Sequence, residues 1–156
     1  KILLLGGSAG SLELNDLLIQ KLSHLSKDIL DNIQVLVQIP DSFFEEYRSK
    51  YLNIIKDVSF FSFKNDLNYL EYDLIISRSG SGSLNDILYI TNYVFFIPHM
   101  HSRDGHQKLN LDYFKKYNSF MHVFKIPHTK KNIQIFYFNN LINPYSINKI
   151  VCYLTR

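Results

Sequence analysis

The sequence predicts an α/β fold, a Rossmann-like domain built on a doubly wound parallel sheet. Short apolar runs alternate with longer stretches of helical spacing along the 156 residues. Most of the short runs are apolar throughout, which is typical of strands that helices cover on both faces. Right-handed crossovers then give the doubly wound arrangement. Clusters of glycine, serine and polar residues come directly after strands, where such sheets bind their ligands.

Five predicted strands each lead into a predicted helix. The strands cover residues 2–7, 33–39, 57–63, 73–77 and 92–98. The helices cover residues 12–25, 41–51, 66–72, 84–90 and 105–117. Residues 121–126 and 133–138 are further candidate strands, and a last helix is predicted over about residues 145–154.

The first two predicted helices carry clear local signals. Leucines at helical spacing give the first helix one apolar face. They are Leu14, Leu17, Leu18, Leu22 and Leu25. Asp41 or Ser42 is placed to cap the second helix. Glu45 and Glu46 then lie in its first turn, where acidic side chains offset the helix dipole.

Composition limits the domain count and the class of protein. With 46% hydrophobic residues, the chain is long enough to bury a core, so residues 1–156 are predicted to form one domain. No apolar run approaches the roughly 20 residues of a membrane span, and the first run is too short for a secretion signal. Cys152 is the single cysteine, which excludes an internal disulfide and fits a reducing compartment. The chain opens on Lys1, so we expect an upstream segment to be missing.

A glycine-rich turn, GGSAGS at residues 6–11, follows the first predicted strand. Glycine lets the backbone approach a ligand closely, and the next helix offers unpaired N–H groups and a positive dipole end, which suit a phosphate. Gly6, Gly7 and Gly10 lack the strict G-x-G-x-x-G spacing, and no Lys-Ser/Thr pair follows, which excludes a P-loop. A merely tight turn is the alternative.

A second turn, from Ser79 to Ser83, contains only serine and glycine and follows the fourth predicted strand. Without bulky side chains, its backbone amides can face a ligand. Asp86 would lie about one turn into the following helix, where a carboxylate commonly accepts both hydroxyls of a ribose. The alternative is an aspartate that only offsets the helix dipole.

Polar residues crowd residues 97–110, after the fifth predicted strand. His99, His101 and His106 lack the i, i+4 spacing of a zinc motif, and no Cys or Glu accompanies them, so a metal site is not favoured. A loop that binds sugar hydroxyls through amide and imidazole groups is favoured, and a solvated loop without a role is the alternative. No Ser/His/Asp order and no paired carboxylates support hydrolysis.

Together the three turns resemble the carboxyl-terminal half of the MurG family, the family 28 glycosyltransferases. The matching segments are GGSAGSLELN, DLIISRSGSGSLNDI and IPHMHSRDGHQKLN, and their order and spacing match from residue 1 to about residue 125. The family transfers N-acetylglucosamine, with inversion, from its UDP donor to lipid-linked muramoyl-pentapeptide, giving lipid II for peptidoglycan synthesis, cell wall biogenesis, cell shape and cell division. The resemblance implies the second Rossmann-like half of a GT-B glycosyltransferase, the half that binds the UDP-sugar.

The resemblance also implies roles for individual residues. The two glycine turns would meet the diphosphate, Asp86 the ribose, the backbone after the third strand the uracil, and the start of the fifth helix the sugar. The implied donor-binding residues are Gly7, Ser8, Gly10, Asn15, Phe63, Lys64, Arg78, Gly80, Ser81, Gly82, Ser83, Asp86, His106, Gln107 and Asn110. No cofactor or metal is implied, since backbone amides and helix dipoles would stabilise the departing UDP.

Four positions depart from the family pattern. Ala9 replaces a glutamine, Leu12 an arginine, Asp86 a glutamate and Gly105 an aspartate. Aspartate still accepts two hydrogen bonds, but it is one methylene shorter than glutamate. Losing one charge-assisted hydrogen bond costs about 1.5–3 kcal/mol. Weak donor binding, or a degenerate copy of the domain, is therefore expected.

The family's other half holds the acceptor loop, the candidate general base and the membrane patch, and none of these is in this chain. Transfer needs donor and acceptor in one cleft, so we expect no catalytic residue here and no turnover by this chain alone. The lipid-linked acceptor would be bound by a missing amino-terminal domain or a partner chain, at the cytoplasmic face of the inner membrane. No nucleic acid partner is expected. The alternatives are a related UDP-sugar transferase, such as a diacylglycerol galactosyltransferase, and a non-catalytic interaction domain.

Overall fold

The structure, a computed structural model, describes residues 1–7, 10–87, 93–99, 105–117, 121–128 and 131–138, the last two ranges by their backbone. The strands are β1 Ile2–Leu5, β2 Gln34–Gln38, β3 Asp57–Phe61, β4 Leu74–Ser77, β5 Tyr93–Phe96, β6 Met121–His128 and β7 Lys131–Phe138. The α-helices are α1 Leu12–Leu22, α2 Lys27–Leu30, α3 Phe44–Leu52, α4 Ser81–Ile87 and α5 His106–Tyr117. Two single 3₁₀ turns lie at Asp41–Phe43 and Tyr69–Glu71. Within these ranges, no helix has the length and apolar character needed to cross a membrane.

The sheet has the strand order β3-β2-β1-β4-β5-β7-β6. Its first five strands are parallel, which confirms the Rossmann-like prediction for them. The two later strands add an antiparallel edge to this sheet, because β7 pairs antiparallel with β5 and β6 antiparallel with β7. Only residues 129–130 separate β6 from β7, and so short a connection can join antiparallel neighbours but not parallel ones.

Both faces of the parallel sheet are covered, as the continuous apolar runs predicted. Alternate residues of β1 point to opposite faces. Ile2 and Leu4 belong to the core that includes α1 and α3, whereas Leu3 and Leu5 belong to the core that includes α4 and α5. The α1 leucines buried in the first core are Leu14, Leu17, Leu18 and Leu22.

The second predicted helix begins later than its predicted cap residues, Asp41 or Ser42, suggested, and neither of them caps it. Pro40 fixes a turn in which its carbonyl oxygen accepts the Phe43 N–H at 2.9 Å, so a 3₁₀ turn precedes α3. No side chain caps α3, which begins at Phe44. Glu45 and Glu46 do lie in its first turn, as predicted.

Three other predicted helices have different bounds, and one lies outside the described residues. The first, expected over residues 12–25, ends at Leu22. The helix expected over residues 66–72 is one 3₁₀ turn, whose cap residue Asn68 accepts the Leu70 N–H at 3.3 Å. The helix expected from Leu84 begins at Ser81, because the Gly80 carbonyl already accepts the Leu84 N–H at 3.0 Å. The last predicted helix, residues 145–154, lies outside the described residues.

Two tyrosines of α3 are buried against α1. Tyr47 Oη donates to Asp16 Oδ1 at 2.9 Å, and Tyr51 Oη donates to Asn15 Oδ1 at 2.9 Å. Burial, and then the hydrogen bond to Asp16, raise the pKa of Tyr47 to about 12. Burial is also the main cause that raises the pKa of Tyr51.

The unfolding free energy is expected to fall as the pH rises above about 10, the ordinary tyrosine pKa. In the folded chain Tyr47 keeps its proton up to about pH 12, so the unfolded chain loses protons first and is favoured in that interval. Urea unfolding from about pH 8 to about pH 11.5 measures this slope. The Tyr47→Phe, Tyr51→Phe double variant should show a shallower decline, and an unchanged slope would contradict the assignment.

Candidate functional site

A cleft with a volume of about 270 Å³ lies at the carboxyl ends of β1, β4 and β5. From β1 the chain continues to β2 on one side, whereas from β4 it continues to β5 on the other. The cleft therefore lies at the point where the strand order reverses, the usual ligand site of doubly wound sheets. Its lining residues come from the turns after three strands and the start of α5. They are Gly6, Gly10, Ser11, Leu12, Glu13, Arg78, His99 and Gln107.

The turn between β1 and α1 is too tight for larger residues. A Cβ on Gly6 would lie 2.2 Å from the Ser11 backbone nitrogen. Gly7 and Gly10 have φ values of +83° and +71°, and the Gly10 N–H donates to the Gly7 carbonyl oxygen at 3.0 Å. A Cβ on Gly10 would also lie 2.8 Å from Pro40 Cδ. The fold itself therefore requires glycine at these positions.

The glycines after β4 are not required in this way. A Cβ on Gly80 or Gly82 would meet no atom within 4 Å, and both positions have ordinary backbone conformations. The space around them is open toward solvent. The space that side chains would fill at these two positions is therefore free for a ligand to occupy.

Ser11 is the cap residue at the amino-terminal end of α1, and it lines the cleft. Its hydroxyl oxygen caps the helix by accepting the Leu14 N–H at 3.2 Å. The first N–H groups of a helix have no partner within the helix, and those of α1 belong to Leu12 and Glu13, which both line the cleft. Together with the positive end of the helix dipole, they make this end suited to an anion.

Arg78 joins the segments around the cleft, and it is 4% exposed. Its Nη2 donates to Ser11 Oγ at 3.0 Å and to Glu13 Oε2 at 2.6 Å, while its Nη1 donates to the Ile97 carbonyl oxygen at 3.1 Å. Burial lowers the pKa of Arg78, and the Glu13 carboxylate opposes that shift. The resemblance placed Arg78 beside the glycine turn among the donor-binding residues, with a structural role as the alternative. Its contacts make it a bridge between the ends of β1, β4 and β5, with its charge offset by Glu13.

Ser79 ties the second turn to α5. Its hydroxyl donates to the Gln107 carbonyl oxygen at 2.9 Å, and Asn110 Nδ2 donates to the Ser79 carbonyl oxygen at 3.2 Å. Gln107 Oε1 in turn accepts the His99 N–H at 2.8 Å. Gln107 and Asn110 therefore hold the loops together, and Gln107 also lines the cleft.

Three predicted donor-binding residues line the cleft, Gly10, Arg78 and Gln107, and Gly7 adjoins it in the first turn. Ser8 lies outside the described residues. Asn15 does not reach the cleft, because its side chain is fully buried and its amide is bonded to Ser11 and Tyr51. From its buried position it supports the first turn by donating to the Ser11 carbonyl oxygen.

The remaining predicted residues do not line the cleft. Gly80, Ser81, Gly82 and Ser83 form the start of α4 and the turn before it, with Ser83 half-buried. Phe63 and Lys64 are exposed in the loop after β3, and His106 is exposed at the start of α5. Asp86 is exposed on α4 and close enough to Tyr69 to help raise the pKa of that tyrosine, after burial.

Two contacts of Glu13 in the cleft were not singled out by the sequence. Glu13 pairs with Arg78, and His99 Nε2 lies 4.0 Å from Glu13 Oε2. An acidic residue in the first turn of a helix is common enough to give no site signal by itself. In the part of the chain that the structure describes, no three His, Cys, Asp or Glu side chains converge as metal ligands do; His101 lies outside it.

The fold and the cleft define the class of protein. It is a Rossmann-like domain whose glycine turn and helix end meet at the switch point in an arrangement suited to an anion, with Arg78 joining the surrounding loops. The family model described as "Glycosyltransferase family 28 C-terminal domain" matches residues 1–144. The chain belongs to that family. The predicted fold class, one Rossmann-like half of a GT-B glycosyltransferase, is thereby confirmed.

Similar proteins carry one name, UDP-N-acetylglucosamine--N-acetylmuramyl-(pentapeptide) pyrophosphoryl-undecaprenol N-acetylglucosamine transferase. The relative from Christiangramia forsetii is 36% identical over 109 residues, which cover 70% of this chain and 29% of the relative. The relative from Leptospira interrogans is 26% identical over 163 residues, 97% of this chain and 43% of the relative. The chain thus spans less than half the length of either relative.

A solved structure agrees with the fold. The crystal structure of Acinetobacter baumannii MurG superposes with a TM-score of 0.60 and 24% sequence identity. The match covers 74% of this chain and 33% of that one. At this level of identity the likeness shows the fold alone.

Proposed function

We propose that this chain is the donor-binding half of an inverting glycosyltransferase that moves N-acetylglucosamine from UDP-N-acetylglucosamine to a lipid-linked muramoyl-pentapeptide. The observation that carries the proposal is the cleft at the switch point, where a glycine turn meets the amino-terminal end of α1 beside Arg78. The names of the relatives supply the sugar and the acceptor. The acceptor and the general base belong to the remainder of the enzyme.

In this proposal the diphosphate lies on the first turn of α1, between the two glycine turns. Negative charge grows on the UDP as the bond to the sugar breaks. Backbone N–H groups that already face that position stabilise the charge without reorganising. Arg78 contributes by fixing Ser11 and the loop after β5, since its guanidinium is buried among protein acceptors. We propose no metal for this step, because the amides and the helix end supply the stabilisation.

Asp86 is proposed to bind the ribose from α4, and the start of α5 to bind the sugar. Catalysis by the whole enzyme would take place where a lipid-linked acceptor is reached, at the cytoplasmic face of the inner membrane, with the protein bound peripherally. This chain alone is then expected to bind the donor without turning it over, because the acceptor must be held in the same cleft.

Calorimetric titration with UDP and with UDP-N-acetylglucosamine tests the proposal. Both should bind saturably. Asp86→Ala should weaken binding by about tenfold or more, the equivalent of one charge-assisted hydrogen bond, with little change in stability because Asp86 is exposed. Asp86→Glu should strengthen binding, since the longer side chain reaches the ribose more easily.

Asp28→Ala is the matched control, because Asp28 is an exposed aspartate in the first turn of another helix, α2. It should leave binding unchanged. No heat with either nucleotide at millimolar concentration, or equal effects at the two aspartates, would contradict the proposal. A larger thermal shift with UDP-galactose than with UDP-N-acetylglucosamine would instead indicate a related transferase with a different sugar.

A further inference from the structure

A buried chain of hydrogen bonds joins α3 to the first turn of α1, behind the cleft. Tyr51 Oη donates to Asn15 Oδ1 at 2.9 Å. Asn15 Nδ2 then donates to the Ser11 carbonyl oxygen at 2.9 Å. Tyr51 and Asn15 are both 0% exposed, so water cannot replace either bond. This series of hydrogen bonds ends on Ser11, which caps α1 and lines the cleft.

The tyrosine hydroxyl decides how the asparagine amide is oriented. With Nδ2 directed at the Ser11 carbonyl, Oδ1 faces away from it and needs a donor, which Tyr51 supplies. The reversed amide would set two oxygen atoms, Asn15 Oδ1 and the Ser11 carbonyl oxygen, against each other. Without the hydroxyl, a buried oxygen would be left unsatisfied, which is costly, and the amide would lose the partner that fixes it.

The orientation of the Ser11 carbonyl also fixes the Leu12 N–H. A peptide unit is planar, with its C=O and N–H pointing in opposite directions, and these two groups belong to one unit. The Ser11 hydroxyl is held separately, by Arg78 Nη2 at 3.0 Å. The Ser11 carbonyl oxygen also accepts the Asn15 N–H of α1 at 3.1 Å, and the Asn15 amide, which Tyr51 of α3 orients, adds a second bond to it. Ser11 is therefore held at its carbonyl by Asn15 and at its side chain from β4, and the next residue, Leu12, lines the cleft.

We propose that Tyr51 is a positioning residue for the anion-binding end of α1. Through Asn15 its hydroxyl holds the Ser11–Leu12 peptide so that the Leu12 N–H is directed at the cleft. The inference rests on the proposed function, since it assigns to Tyr51 a part in holding the donor diphosphate. It follows that removing the Tyr51 hydroxyl should weaken binding of the diphosphate but not binding of the nucleoside.

The test compares UDP with uridine, which lacks the diphosphate, on the chain and on its Tyr51→Phe variant. Affinities are measured by calorimetry or ligand-observed NMR, at a temperature where circular dichroism shows the variant folded. Tyr51→Phe should weaken UDP binding by about five- to tenfold, as expected for one misdirected hydrogen bond to an anion. Uridine binding should be unchanged.

Tyr47→Phe is the matched control. It also removes a tyrosine hydroxyl between α3 and α1, but this one bonds to Asp16 at 2.9 Å. Its other contact, 3.4 Å to the Leu12 carbonyl oxygen, lies on the following Leu12–Glu13 peptide and is too long for a strong O–H···O hydrogen bond. This variant should leave the affinities for UDP and uridine unchanged.

The possible results separate the two proposals. If the unchanged chain binds UDP and Tyr51→Phe binds it equally well, or loses UDP and uridine affinity in equal proportion, the role of Tyr51 is overturned and the proposed function stands. If the unchanged chain binds no UDP, the proposed function fails and this inference fails with it. If Tyr51→Phe does not fold, Asn15→Ala interrupts the same series of hydrogen bonds. That variant should show the same selective loss of affinity for UDP.

Discussion

Replacing Gly10 by alanine is expected to lower the free energy of unfolding by about 2–4 kcal/mol and to abolish UDP binding. Gly10 has a φ of +71°, and a Cβ would lie 2.8 Å from Pro40 Cδ and 3.1 Å from Ile39 Cα. Neither neighbour is the end of a flexible side chain, so the turn has to move. Urea unfolding and a UDP titration measure the two effects.

Gly82→Ala is the matched control, because it adds the same methyl group where no atom lies within 4 Å. Gly82 lies inside α4, so alanine should raise stability by about 0.5–1 kcal/mol. UDP affinity should nevertheless fall, since the methyl group occupies space that the ligand is proposed to use. Loss of stability in Gly82→Ala, or unchanged stability in Gly10→Ala, would contradict this account of the two turns.

Arg78→Met is expected to lower the free energy of unfolding by about 2–4 kcal/mol. Methionine fills similar space but donates no hydrogen bond. The buried Ile97 carbonyl would lose the Arg78 donor, and Ser11 would lose its link to β4. UDP affinity should fall as well, because the loops that form the cleft are no longer joined. Chemical unfolding and calorimetry measure these changes.

Glu13→Gln separates the ion pair from the other contacts of Arg78. Glu13 is 65% exposed at its side chain, and such pairs contribute only about 0–1 kcal/mol. Glutamine keeps an acceptor for the guanidinium, so this variant should cost less than about 1 kcal/mol. If Glu13→Gln destabilised the chain as much as Arg78→Met, the charge pair rather than the bridging of the loops would be the main contribution of Arg78.

The parallel part of the fold could be predicted from the sequence because each strand is covered on both faces. Such strands, for example residues 74–77, are apolar enough to stand out from their helices. The direction in which β6 and β7 pair could not be read from their composition. The two-residue spacing between them carried that signal. The start of α3 was misplaced because Pro40 favours a local turn that competes with capping by Asp41.

The position of the cleft could be predicted, but its internal contacts could not. Glycine turns after strands mark the edge at which a doubly wound sheet binds its ligand, whichever side-chain contacts form there. Arg78 and Ser11 are 67 residues apart in sequence, and Tyr51 and Asn15 are 36 apart. Contacts of this kind depend on how α1, α3 and β4 pack together. For the same reason the structure directs Asn15 inward, which its sequence position beside the glycine turn did not indicate.

The most direct test of the central claim is a crystal structure of the chain with UDP bound. The account predicts diphosphate oxygens within hydrogen-bonding distance of the backbone N–H groups of Gly10 to Leu12, with Arg78 still bonded to Ser11. Finding the nucleotide bound at another edge of the sheet, with the cleft between β1 and β4 left unoccupied, would contradict it.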